Sequence, residues 1–206
     1  MKIVRKLLIL LLVSIFFNSE FAFAVLSPKE QIQTTIDNII NILKEPKYKG
    51  KDKTQKRRDA LREEISKVFD FEEMSKRSLG IYWRERTPQE KKEFVELFKD
   101  LLERSYIEKI EAYTDEKIIY YDEKIEDNKY AEVKTKIVTT DKKEIPMDYK
   151  LYFNGKGWKV YDIALEGVSL VSNYRSQFSK IIRSHSYQEL VKRMKSKQQE
   201  ELLREK

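Results

Sequence analysis

Asp162 is the acid whose setting could support catalysis. It stands in Lys159-Val160-Tyr161-Asp162-Ile163, inside an otherwise apolar strand-like run, where burial would raise its pKa towards the range of a general base. Small α+β cones with curved sheets use acids placed in this way. The same residue also reads as a hydrogen-bonded structural acid near a strand end, and we adopt that reading because nothing else completes a catalytic set. Glu63-Glu64 and Glu72-Glu73 fall in helical segments, where neighbours point about 100° apart and so belong to solvated faces. His185, the one histidine, lies between Ser184 and Ser186 in an expected interhelical turn. The absence of cysteine excludes thiol catalysis, disulfides, iron–sulfur clusters and Cys-ligated zinc. Gly155-x-Gly157 joins two strands, so it marks a hairpin, and the chain has no G-x-S-x-G elbow, P-loop or dinucleotide fingerprint. The residue inventory points away from an enzyme and from any cofactor.

The chain has 206 residues, 40% hydrophobic and 12% aromatic, with a net charge of +7. That is enough for one packed core, since single cores serve chains up to roughly 250 residues. Lys2, Arg5 and Lys6 precede the apolar run Leu7–Phe17, which at about 11 residues is shorter than the roughly 20 a spanning helix needs. Ala22-Phe23-Ala24 then supplies a small-x-small cleavage pattern. We therefore expect a signal peptide over residues 1–24, a single domain over 25–195 and a polar tail over 196–206. Export places the product in the periplasm of a diderm cell and removes nucleic acid as a partner, despite the positive charge.

Ile32, Ile36, Ile39, Ile40 and Leu43 recur at helical spacing, predicting a helix over Pro28–Lys44 opened by Ser27-Pro28. The basic loop Pro46–Lys53 follows, then a helix with Leu61, Ile65, Val68 and Phe69 on one side. Asp70 caps a short helix through Met74 and Leu79, which Gly80 ends. Thr87-Pro88-Gln89-Glu90 combines a cap, a proline at the first helical position and a capping-box glutamate. The long helix it opens carries Phe94, Leu97, Phe98, Leu101, Leu102, Tyr106 and Ile110 on one face. The period then changes to strands over Lys117–Ile125, Tyr130–Thr140, Glu144–Phe153 and Trp158–Leu165. Pro146 cannot donate to a ladder, so the third strand should start at an edge or a bulge. Helical spacing returns from Val168, and Ser186-x-x-Glu189 opens a last helix expected to fray beyond Lys195. Helices, a meander, then helices make an α+β fold. The wide apolar faces either fill one another as an ordinary core or line a cavity for an apolar ligand, and spacing leaves both open.

Several segments in this order resemble the MlaC family, also called the toluene-tolerance auxiliary family. They are Phe69-Asp70-Phe71-x-x-Met74, Leu79-Gly80-x-x-Trp83, the Thr87, Gln89 and Phe94 positions, Gly157-Trp158-Lys159-Val160-Tyr161-Asp162-Ile163, Glu166-Gly167-Val168-Ser169-Leu170-Val171 and Asn173-Tyr174-Arg175-Ser176-Gln177-Phe178. The resemblance covers roughly Gln55 to Leu190. It implies an NTF2-like cone, in which a curved antiparallel sheet of about four strands and several helices enclose a hydrophobic pocket. It also implies a monomeric carrier of glycerophospholipid. Such a carrier moves between an outer-membrane lipoprotein–porin complex and an inner-membrane hexameric lipid-binding protein with its ABC transporter, and so maintains outer-membrane lipid asymmetry.

On that resemblance the helical lining would be Met74, Leu79, Trp83, Phe98, Leu101 and Tyr106, with Val171 and Tyr174 from the later helix. The strands would add Val133, Ile137, Tyr149, Leu151 and Val160. Arg77 and Arg175 are assigned to the lipid phosphate, because Arg offers two parallel donors; Arg175 could equally pair with Asp162. A hopanoid or similar lipid, an NTF2-like enzyme using Asp162 as base, and a cavity-free adaptor are the competing readings. The basic loop and the tail are either docking surfaces or plain solvated surface.

Overall fold

The computed structural model describes residues 25–204, with side chains to residue 200. The expected signal peptide, residues 1–24, lies outside the described residues. Helix α1 spans Pro28–Lys44 and begins with a full capping box between Ser27 and Glu30. Two 3-10 turns, Pro46–Tyr48 and Lys51–Lys53, lead into α2, Thr54–Val68. Asp70 accepts from the Glu73 amide at 2.9 Å and opens α3, Phe71–Leu79. Gly80 closes that helix at φ +60, a conformation a side chain would strain. Thr87 and Glu90 form the second capping box, at the head of α4, Pro88–Glu111.

The sheet is an antiparallel meander in the order β1-β2-β3-β4-β5. Its strands are β1 Lys117–Glu126, β2 Tyr130–Val138, β3 Glu144–Phe153, β4 Trp158–Leu165 and β5 Val168–Ser169. The two-residue β5 is one more strand than the sequence pattern offered, and it occupies positions that read as the start of a helix. Helix α5, Leu170–Ser184, starts only after it, and α6, Tyr187–Arg204, continues past Lys195, where fraying was expected. Pro146 lies at the third residue of β3, which is internal to the sheet and not an edge. Its ring is exposed and its carbonyl accepts from the Glu166 amide at 2.9 Å.

Two apolar cores result. One joins α3, α4, α5 and α6 through Met74, Leu79, Phe94, Phe98, Phe178 and Leu190. There Phe178 meets Phe94 and Phe98 edge-on, each at 5.6 Å between centroids. The other packs Ile32 of α1 and Val68 of α2 onto Ala131, Val133, Leu151 and Val160 of the sheet. Phe69 bridges both, and the following Asp70 amide bonds the Val160 carbonyl at 2.9 Å, tying the α2–α3 corner to β4. Phe98 is fully buried, so Phe98→Ala should cost about 3–5 kcal/mol, read as a lower urea midpoint with an unchanged slope.

Candidate functional site

Beyond the second core the helices and the sheet stop touching, and a cavity of about 480 Å³ opens between them. Its wall takes Ile32, Thr35, Ile36, Ile39, Ile40 and Leu43 from α1, and Leu102, Tyr106, Ile107 and Ile110 from α4. The sheet contributes Ile118, Thr135, Ile137, Ile145, Met147 and Tyr149. Three hydroxyls in this wall are bonded within the protein. Thr35 donates to the Gln31 carbonyl at 2.8 Å, Thr135 to the Met147 carbonyl at 2.6 Å, and Tyr149 to Met147 Sδ at 3.0 Å. Satisfying these groups locally lets the wall present carbon. Burial also pushes the Tyr149 phenol above its ordinary range, so it stays neutral.

Exposure changes along the cavity. Ile32, Thr35, Met74, Leu102, Ile107 and Thr135 are buried at one end. Leu43, Ile110, Tyr113, Ile118, Ile137 and Ile145 are only half-buried at the other. The second group gathers where α1 and α4 end and where β1 and β3 begin, so that end is the mouth.

Helices α2 and α4 face each other beside the cavity with little direct packing. Long side chains span the gap. Arg57 Nη2 reaches Glu111 at 2.7 Å, Arg58 Nε reaches the same carboxylate at 3.1 Å, and Arg62 Nε reaches Glu103 at 3.1 Å. At the mouth, Lys44 meets Asp115 at 3.2 Å and lies over the Tyr113 ring. Glu103 is a wall residue whose Oε1 has no hydrogen-bond partner, with Lys99 Nζ 3.9 Å away. Its burial raises the carboxyl above the ordinary value of 4.5, although Arg62 and Lys99 oppose the shift. Among the described residues no group of three His, Asp or Glu could hold a metal, and no helix is long and apolar enough to cross a membrane.

Of the positions expected to line a pocket, Met74, Tyr106, Ile137 and Tyr149 stand in this wall. Leu79, Trp83, Phe98 and Val171 sit in the helical core, with Leu101 and Tyr174 packed against it. Val133, Leu151 and Val160 sit under Ile32 in the second core. Arg175 Nε donates to the Arg77 carbonyl at 2.6 Å, and its stem runs 3.6 Å from where a Gly80 Cβ would stand, so this cation closes the C-terminus of α3. Arg77 pairs with Glu73 at 2.8 Å and covers the Tyr161 ring at 4.0 Å. Neither arginine belongs to the wall, and no pair forms between Arg175 and Asp162. Asp162 instead accepts from Ser169 Oγ at 2.6 Å and from the Val171 amide at 3.1 Å, anchoring the N-terminus of α5. The expected lining omitted the α1 stripe from Ile36 to Leu43 entirely, and also Leu102, Ile107 and Ile110 of α4 and Ile118, Thr135, Ile145 and Met147 of the sheet. The signal of the α1 stripe was an apolar face wider than a helix covering one edge of a sheet requires.

The family model described as MlaC protein matches residues 33–196. The toluene tolerance protein ttg2D of Pseudomonas putida is 28% identical over 157 residues, 76% of this chain and 73% of that one. The intermembrane phospholipid transport system binding protein MlaC of Haemophilus influenzae is 22% identical over 183 residues, 87% and 86% of the two chains. A solved phospholipid-binding protein from Ralstonia solanacearum, in complex with a phospholipid, superposes with a TM-score of 0.75 at 23% identity. That match covers 83% of this chain and 96% of the other, and at such identity it is a likeness of fold.

Three outcomes follow from these charges and from an exposed pair on the sheet. Glu111→Gln removes the carboxylate shared by two arginines that are 19% and 15% exposed, and should cost about 2 kcal/mol in chemical denaturation. Lys136→Gln, which loses an exposed pair with Glu144, should cost about 0.5 kcal/mol or less. Because the folded pKa of Glu103 is raised, its contribution is fully present below 4.5 and is lost as pH rises through the raised value. The stability of the wild type relative to Glu103→Gln should therefore fall across that window, and a flat difference would contradict the assignment.

Proposed function

The chain belongs to the MlaC family, and from that premise we propose that it binds phospholipid and carries it through the periplasm. The observation that supports this most is the cavity, with a mainly apolar wall, the hydroxyls of Thr35, Thr135 and Tyr149 bonded within the protein, and one half-buried end. Its 480 Å³ lies within the roughly 300–1,000 Å³ usual for ligand pockets. Acyl chains fill it, and the head group stays at the mouth between Leu43, Ile110 and Ile118. Each buried methylene is worth about 0.8 kcal/mol, so a chain of roughly 15 methylenes contributes about 12 kcal/mol before ordering costs. A ligand held so firmly leaves slowly unless a docking partner favours an open state.

The finer reading is a monomeric carrier that exchanges glycerophospholipid with an outer-membrane lipoprotein–porin complex. At the inner membrane it meets a hexameric lipid-binding protein and its ABC transporter, and the traffic maintains outer-membrane asymmetry. Residues 25–195 form the lipid-binding unit, residues 1–24 address it to the periplasm, and 196–206 form a polar tail. It acts as a binding protein and not as an enzyme. The hydrogen bonds to Asp162 commit both carboxylate oxygens to the turn that starts α5, which supports a structural role.

Ile39→Trp places an indole in the space from a half-buried position of α1. The variant should keep its fold by circular dichroism and lose most of the phospholipid extracted per mole of wild type. Asp162→Asn should retain wild-type loading. Full loading of Ile39→Trp would contradict the cavity as the lipid site, and a hopanoid in the extract would redirect the ligand class.

A further inference from the structure

The basic loop that leaves the end of α1 stands beside the mouth. Between Lys44 and Arg58 the chain carries eight cations and two acids. Arg57 and Arg58 are taken by Glu111, Lys44 by Asp115, Lys47 by Glu45 at 2.7 Å, and Lys53 by Asp52 at 2.8 Å. Lys49, Lys51 and Lys56 are exposed and meet no carboxylate among the described residues. The loop is also held in place. Arg57, already fixed on Glu111, donates to the Tyr48 carbonyl at 3.0 Å, and Lys47 and Lys56 flank the Tyr48 ring. Two 3-10 turns hinged on Gly50, at φ +104, fix the path between them.

From this arrangement we propose that the segment Lys44–Lys56 docks the mouth of the cavity against a bilayer surface bearing anionic phospholipid. The inference rests on the cavity being a lipid site. Charge complementarity sets the sign, and the residue types set the kind of partner. Lysines are strongly hydrated point charges on flexible stems, suited to a smeared field of phosphates and depleted at protein interfaces. Hot spots at protein interfaces are aromatic residues and Arg in packed pockets. The exposed large apolar side chains of this protein, such as Ile81, Ile119, Tyr121 and Val168, all lie outside the segment. The loop adjoins Leu43 and Tyr113, so docking there brings the apolar mouth against the layer that holds the ligand.

The test compares the purified protein with a Lys49→Gln/Lys51→Gln/Lys56→Gln variant in flotation with two kinds of vesicle. One is phosphatidylcholine alone and the other an equimolar mixture with phosphatidylglycerol. The wild type should float with the anionic vesicles only and weaken as salt rises. At about fivefold per lysine, the triple variant should bind them about a hundredfold more weakly. Lipid loading from detergent micelles is measured on both proteins and should be equal. Failure of the wild type to bind anionic vesicles, or equal binding by the variant, overturns the docking surface even if both load lipid. Salt-sensitive binding to an acidic protein without vesicle binding would reassign the surface and overturn it too. If neither protein loads lipid, the carrier reading itself fails, and the vesicle arms report that separately.

Discussion

Arg57, Arg58 and Arg62 reach from α2 to Glu111 and Glu103 on α4 across a distance that apolar packing does not close. Ion pairs tolerate a separation that side-chain interdigitation does not, because two long side chains can meet while their helices stay apart. The remaining architecture follows from that separation. With α4 held off α2, the stripe of α1 from Ile36 to Leu43 faces open space, and so does the far half of the sheet's inner face. A gap lined with carbon forfeits dispersion contacts on every wall, and an apolar ligand restores them. The Glu103 oxygen without a partner and its raised pKa are local costs of placing a charged bridge beside that wall.

Much of the fold was legible in the sequence. The two capping boxes at Ser27 and Thr87 set the starts of α1 and α4, and strand alternation located β1 to β4 within a residue or two. Asp70 as a cap and Gly80 as a stop also follow from residue chemistry alone. The site was less legible, for a physical reason. Along β2 one alternating face contains Ala131, Val133, Thr135 and Ile137, and nothing in the alternation says where α1 crosses. Ile32 covers the first two, and the last two stay open. The same ambiguity applies to Leu151 and Tyr149 on β3. Phe98 and Val171 belong to faces wide enough for a cavity, yet α3, α4, α5 and α6 pack these faces against one another.

Charged residues were harder still to assign. A guanidinium suits a phosphate, a carboxylate or a helix C-terminus equally well, and only the approach of α5 to Gly80 commits Arg175 to the last of these. Asp162 shows the reverse case. Its position in an apolar strand left two readings, and the β4–α5 turn brings Ser169 and the Val171 amide to its two oxygens, which supports the structural one. Those two bonds fix the start of a helix that closes the first core.

The central claim is that this cavity holds phospholipid, and native mass spectrometry of the purified protein tests it most directly. The account predicts adducts at the mass of one phospholipid per chain, released on solvent extraction. A bare chain mass that persists after incubation with phospholipid vesicles and with detergent-solubilised phospholipid would contradict it.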